Sequence, residues 1–203
     1  MYQKEIKEYI KNHTVFFVKD FQKYIDITDD KKSMVNTELA RFESKGIIKR
    51  LTKGFYAVPI KTCFGMSLPN KKLIAEKLYI EGYNGYTSGA TFLNQIGLST
   101  WMPKKVQIKS NRKERQYKLE GYDIDRPRTE ITKDNILYFQ LLDGIDDMDK
   151  YAIDNKEPDK IIYLYIKEQK LDLVKMLLIG KKYYKKPVID KLYQILEEYY
   201  ETT

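Results

Sequence analysis

A chain of 203 residues, 42% of them hydrophobic, can bury a real core and suggests one large or two small domains. Its single cysteine, Cys63, excludes an internal disulfide and any multi-cysteine zinc site, and no apolar run reaches the roughly eighteen residues of a membrane span. The formal charge of +8 leans toward nucleic acid, but lysine outnumbers arginine 31 to 6, as an AT-rich coding sequence produces, so the placement of charge says more than its total.

The N-terminal MYQKEIKEYI lacks the apolar core of a secretory signal, and a cytoplasmic protein is expected. Tyr2–Asn12 carries Ile6, Tyr9 and Ile10 at helical spacing. Val15–Tyr24 begins as a strand-like VFFV and continues as a second short helix from near Asp20; Ile25–Asp29 is a turn. Val35, Leu39 and Phe42 then form the apolar stripe of a third helix, with Asp30 or Ser33 as its N-cap and Gly46 as its C-terminal stop. Ile47–Leu51 and Phe55–Val58 read as a hairpin around Thr52-Lys53-Gly54.

Three helices followed by a basic hairpin are the inventory of a winged helix-turn-helix. The third helix carries Lys31, Lys32, Ser33, Asn36, Thr37 and Arg41 away from its apolar stripe, and the hairpin adds Lys49, Arg50 and Lys53. Asn pairs bidentately with adenine and Arg with guanine, while Ser, Thr and Lys serve phosphates or bases. Residues 1–30 hold five Lys and six acids, whereas residues 31–58 hold seven cations and two acids. The positive charge thus sits on the elements expected to meet double-stranded DNA.

Pro59–Pro69 has proline at both ends, and residues 59–70 read as a linker between a DNA-binding domain (1–58) and a C-terminal domain (71–203). Lys71–Gly82 resumes a helical pattern, and Ser88–Ile96 is a short helix with Ser88 as its cap and Gly97 as its stop. Lys104–Pro127 alternates as strands do. Its cluster Lys104, Lys105, Lys109, Arg112, Lys113, Arg115 and Lys118 is either a second nucleic-acid surface or a lysine-protected sheet edge. From Ile136 onward the pattern is helical again, although Ile136–Leu142 can begin as a strand, and Ile161–Ile166 fits strand or helix. Asp143–Asp159 holds seven acids against two lysines, a pattern expected of a solvated segment. Leu171–Ile179 and Pro187–Tyr199 close the chain as amphipathic helices, with the C-terminal tyrosines packing between helices and the sole tryptophan, Trp101, a core or domain-packing residue. The fold class expected is α+β: a winged helix-turn-helix, then a mainly helical domain with a small sheet.

Two further motifs carry a family resemblance. One is Ser88-Gly89-Ala90 with Leu93-Asn94 and Gly97-Leu98-Ser99-Thr100, closed by Pro103; the other is Tyr183-Tyr184 through Leu192 and Leu196. With the preceding helix and hairpin they resemble the AbiEi family, antitoxins of bacterial abortive-infection toxin–antitoxin pairs. The resemblance implies a protein that binds and represses its own promoter and counteracts a nucleotidyltransferase-like toxin, in the class where antitoxin and toxin are not known to form a stable complex. Relatives carry more arginine on the reading helix, where this chain has Arg41 alone.

Enzymatic signatures are weak, and no catalytic residue, cofactor or metal is expected. His13 is the only histidine, Cys63 has no local partner, and no phosphate-cradling glycine motif occurs. Glu168-Gln169-Lys170 with Asp159 upstream resembles a restriction-type nuclease element, but acid-x-Lys recurs throughout this lysine-rich chain. The alternatives to a DNA-binding antitoxin are a winged-helix module that grips a toxin or RNA directly and, behind it, a metal-dependent nuclease.

Overall fold

The computed structural model describes residues 2–112 and 117–200. It is a mixed α+β structure of two compact units, Met1–Leu78 with Glu114–Glu120, and Tyr79–Lys113 with Gly121–Thr203.

The first unit runs α1 (Gln3–Asn12), β1 (Val15–Phe17), α2 (Val18–Tyr24), α3 (Lys32–Ser44), β2 (Lys49–Thr52) and β3 (Phe55–Ala57). The three strands form one antiparallel sheet in the order β1-β3-β2, so β2 is an edge. Val35, Leu39 and Phe42 are all buried, as their spacing predicts, and pack with Ile6, Tyr9, Phe16, Phe21, Ile48 and Tyr56. The end of α3 also matches its sequence signal. Gly46 has φ +70°, its N–H donates to Glu43 O at 2.9 Å, and Ile47 N–H donates to Phe42 O at 3.0 Å. That pair of bonds satisfies two carbonyls the helix leaves open. The start differs from expectation. Neither Asp30 nor Ser33 caps α3; a 3₁₀ turn, Asp29–Lys31, leads into it without a side-chain cap.

The expected linker is not irregular. Residues 60–67 pair with themselves as a hairpin, β4 (Ile60–Thr62) and β5 (Gly65–Ser67), because the two prolines flank the ladder and do not interrupt it. Beyond it α4 (Lys71–Ala75), capped by the Asn70 side chain, buries Ile74 and Ala75 and continues into a π-turn, Glu76–Ile80. The Lys77–Asp20 ion pair, at 3.4 Å, ties this segment to α2.

The second unit contains β6 (Gly85–Thr87), α5 (Gly89–Gln95), β7 (Val106–Ser110), β8 (Tyr122–Asp125), α6 (Ile136–Asp147), α7 (Pro158–Glu168), α8 (Leu173–Tyr183) and α9 (Lys186–Tyr200). In its sheet β7 is central, antiparallel to β6 and parallel to β8. Ile136–Leu142 is helical from its first residue, and Ile161–Ile166 lies inside α7; both runs contribute buried side chains to one core cluster. Pro187 occupies the first turn of α9, where its missing N–H costs nothing. Ser88 stands at the N-cap of α5 but makes no cap bond; Gln107 Oε1 accepts from Ala90 N–H at 2.8 Å in its place.

Gly85 is fixed by close approach. A Cβ there would stand 2.6 Å from Tyr79 O and 2.9 Å from Ser110 Cα, both backbone atoms that cannot turn aside. Gly85→Ala should therefore cost roughly 1–3 kcal/mol. Urea denaturation followed by Trp101 fluorescence checks this, and an unshifted midpoint would contradict it.

Candidate functional site

Two polar constellations stand out, one in each unit. In the first, burying Val35, Leu39 and Phe42 turns the rest of α3 outward. Lys31, Lys32, Ser33, Asn36, Thr37 and Arg41 are all exposed, as expected of them. Several of these side chains are already oriented. Thr37 Oγ1 donates to Ser33 O at 3.0 Å, and Lys32 pairs with Asp29 one turn earlier. Arg41 Nη1 donates to Glu38 Oε1 at 2.7 Å. Glu38 is a buried acid on the same helix and also accepts from Gln3 Nε2 at 3.3 Å. Sequence reading placed no acid beside Arg41. The contact fixes the guanidinium while leaving most of its five donors available.

Lys49 and Arg50 are exposed on β2, and Lys53 is exposed in the turn that follows. Consecutive residues of a strand normally face opposite ways. Here both can reach solvent because β2 is the sheet edge and its register slips between Arg50 and Thr52. Gly54, at φ +71°, closes the turn, and its carbonyl accepts from Val18 N–H at 2.9 Å, which holds the turn against the start of α2. Helix face and hairpin together offer amide, hydroxyl and cationic donors, the set that engages phosphate oxygens and base edges.

The second constellation was not foreseen. Asp143 lies in α6 with its carboxylate fully buried. Oδ1 accepts from Tyr184 Oη at 2.9 Å and Arg128 Nε at 3.2 Å; Oδ2 accepts from Tyr86 Oη at 2.6 Å and Lys109 Nζ at 2.6 Å. Arg128 also donates to Asp146 at 2.6 Å, and its guanidinium lies 4.4 Å from the centre of the Tyr184 ring. Burial first, and then the Asp143 charge, push both phenols well above the ordinary tyrosine range, so both remain donors. Burial is the largest influence on Arg128 and works against its charge, but the hydrogen bond to Asp143 and the charges of Asp143 and Asp146 together outweigh it and raise that pKa. Four donors on one carboxylate bring together β6, β7, the segment before α6 and the start of the chain between α8 and α9. Such a cluster organises a core; it leaves the carboxylate no free lone pair with which to act on a substrate.

That geometry corrects two expectations. Lys109 does not belong to an exposed basic surface, because it turns inward to Asp143. Asp143–Asp159 is not simply solvated: Asp143 and Asp159 are buried, Lys191 Nζ donates to Asp159 at 2.7 Å, and Asp154 accepts from Thr100 N–H at 3.0 Å. Lys104 and Lys105 are exposed, Arg112 is half-buried, and Lys113 and Arg115 lie outside the described residues. Lys118 is exposed but belongs to the first unit, so the expected cluster is divided between units. Trp101 is about half exposed and stacks on Tyr151, rather than filling a core. Of the C-terminal tyrosines, Tyr183 lies edge-on to Phe139 and Tyr199 stacks on Tyr163, as expected of residues that pack helices, whereas Tyr193 is exposed.

The nuclease-like residues do not converge. Asp159 and Glu168 stand near opposite ends of α7, roughly 14 Å apart along its axis. Among the described residues no group of three or more His, Cys, Asp or Glu side chains could hold a metal ion, and no helix is long and apolar enough to cross a membrane. His13 stacks on Tyr9 at 3.9 Å, and Cys63 is exposed.

Residues 2–173 match a family of unknown function, DUF6088. The chain belongs to that family. No curated protein matches it. The DUF6088 match takes in α3, the basic hairpin and Asp143 with Tyr86, Lys109 and Arg128. Tyr184 and all of α9 lie beyond it.

Proposed function

We propose that this DUF6088 chain is a sequence-specific DNA-binding protein whose first unit is a winged helix-turn-helix, with α3 reading the major groove and the β2–β3 turn as the wing. The observation that carries the reading is the outward face of α3, polar or cationic at Lys32, Ser33, Asn36, Thr37 and Arg41, on the same small body as a cationic edge strand. The sheet order β1-β3-β2, with α2 and α3 between its first two strands in sequence, supports that reading. Asn36 and Arg41 are the base-reading side chains; Lys49, Arg50 and Lys53 hold phosphates. The likeness of the 88–103 and 183–196 motifs to AbiEi antitoxins extends the proposal. The DNA is the promoter of the chain's own operon, and the biological role is to repress it while counteracting a nucleotidyltransferase-like toxin. A nucleotidyltransferase-like reading frame beside this one is the expected genomic neighbour.

The experiment is a gel shift with the double variant Asn36→Ala/Arg41→Ala on DNA from directly upstream of the reading frame and on a scrambled duplex. Each lost bidentate contact should cost about 1–3 kcal/mol and erase the preference for the upstream sequence. Both side chains are exposed, so circular dichroism should show an unchanged fold. An unaltered shift would remove the assignment of these two residues.

A further inference from the structure

The hairpin β4–β5 has no role in that reading, yet its construction is unusual. All eight residues from Ile60 to Ser67 are exposed, including Ile60 at 45%, Met66 at 65% and Phe64 at 98%. Phe64 sits at the tip, in the two-residue turn between the paired Thr62 and Gly65. The turn is held in shape: Thr62 Oγ1 donates to Gly65 O at 2.8 Å and accepts from Phe64 N–H at 3.3 Å. A shaped hairpin that presents a bare phenylalanine is costly on a free surface and marks a contact element.

The charge around it says what kind of surface it meets. From Ser44 to Ala75 the sequence contains no Asp or Glu, but it contains Lys45, Lys49, Arg50, Lys53 and Lys61, besides Lys71 and Lys72, which pair with Glu120 and Glu76. That interval begins at the end of α3 and spans the edge strand, its turn and the whole of the exposed hairpin. Only Val58 and Pro59 separate β3 from β4. Lysine is depleted from the centres of protein–protein interfaces, whereas an apolar tip among cations fits a polyanion with a groove.

We propose that β4–β5 is a second DNA-contacting arm, with Phe64 wedged into the minor groove of duplex flanking the site read by α3, and Lys61 on the adjacent phosphate. The proposal rests on the duplex-binding reading above. Apolar side chains of this size enter minor grooves and partly unstack a base step, and a neighbouring lysine anchors the arm by releasing a counterion.

Cys63, the only cysteine, lies beside Phe64 and is exposed, so it reports on the tip without any engineering. The test is alkylation of Cys63 in the full chain, alone and with a saturating duplex of about 40 base pairs from upstream of its reading frame, beside anisotropy titrations of Phe64→Ala and Lys61→Ala. The duplex should slow alkylation by roughly tenfold, Phe64→Ala should bind roughly tenfold more weakly, and Lys61→Ala should lower the salt slope by about one. If the duplex binds and Asn36→Ala/Arg41→Ala abolishes its selection, but Cys63 stays fully reactive and Phe64→Ala binds as the parent does, the arm is overturned while the reading of α3 stands. Cys63 protection that grows with protein concentration in the absence of DNA would overturn it in favour of contact between copies. No binding to either duplex would overturn the arm and the DNA reading together.

Discussion

Replacing Asp143 by alanine should destabilise the second unit by about 3–5 kcal/mol, the largest effect expected of any single substitution in this chain. The carboxylate contributes little net energy by being charged, since desolvating it offsets most of what it gains. The cost comes from its partners. Without it the Tyr86 hydroxyl loses its acceptor, Tyr184 keeps only the longer bond to Phe139 O at 3.3 Å, and Lys109 loses its counter-charge with only a fifth of its side chain in water. Arg128 keeps about a third of its side chain in solvent and retains Asp146, which pulls the expectation toward the lower end of the range. Asp143→Asn should fall between the parent and Asp143→Ala: the shape is kept, but the amide must aim its N–H₂ at groups that are themselves donors. Trp101 belongs to the same unit, so its emission in a urea titration reads this unfolding directly. A loss below about 1 kcal/mol for Asp143→Ala would show that the cluster holds nothing together.

How far these features could be read from the sequence depended on whether a residue's surroundings are local. The stripe of Val35, Leu39 and Phe42 and the glycine at 46 are signals within one or two helical turns, and α3 ends where they say it does. The outward set on α3 follows from that stripe by elimination. Asp143 depends instead on Tyr86, Lys109, Arg128 and Tyr184, which lie from 15 to 57 positions away in sequence. A local clue did exist. Asp143 interrupts the run ILYFQLLDGI, and an acid inside an apolar helical run is more often buried and paired than solvated. Counting it with the acids that follow hid that signal. The hairpin β4–β5 was obscured for a different reason: proline at both ends of an interval reads as a break unless the residues between are tested for pairing with each other. Glu38 beside Arg41 is an i, i+3 pair and was legible in principle.

The second large effect concerns salt. If the first unit binds duplex through Lys49, Arg50, Lys53 and one cation of α3, those contacts neutralise about four phosphates and give log K a slope against log salt near −3.6, to which the Lys61 contact of the proposed arm adds about −0.9. Through the first four contacts alone, raising salt from about 50 to about 200 mM weakens binding roughly 150-fold. The reason is release of counterions condensed on the duplex, so the effect is shared by all sequences and is independent of the selection made by Asn36 and Arg41. Lys49, Arg50 and Lys53 are exposed on an edge strand and its turn, and none lies in the core of the first unit, so changing them should leave the fold intact.

The most direct test is therefore an anisotropy titration of the full chain with duplex DNA from upstream of its reading frame across that salt range, beside the triple variant Lys49→Ala/Arg50→Ala/Lys53→Ala. The expected result is a slope near −3.6 for the parent, or about −4.5 where the Lys61 arm also engages, made shallower by about 2.7 in the variant. Binding that is absent, or whose salt slope is the same with and without those three cations, would contradict the account.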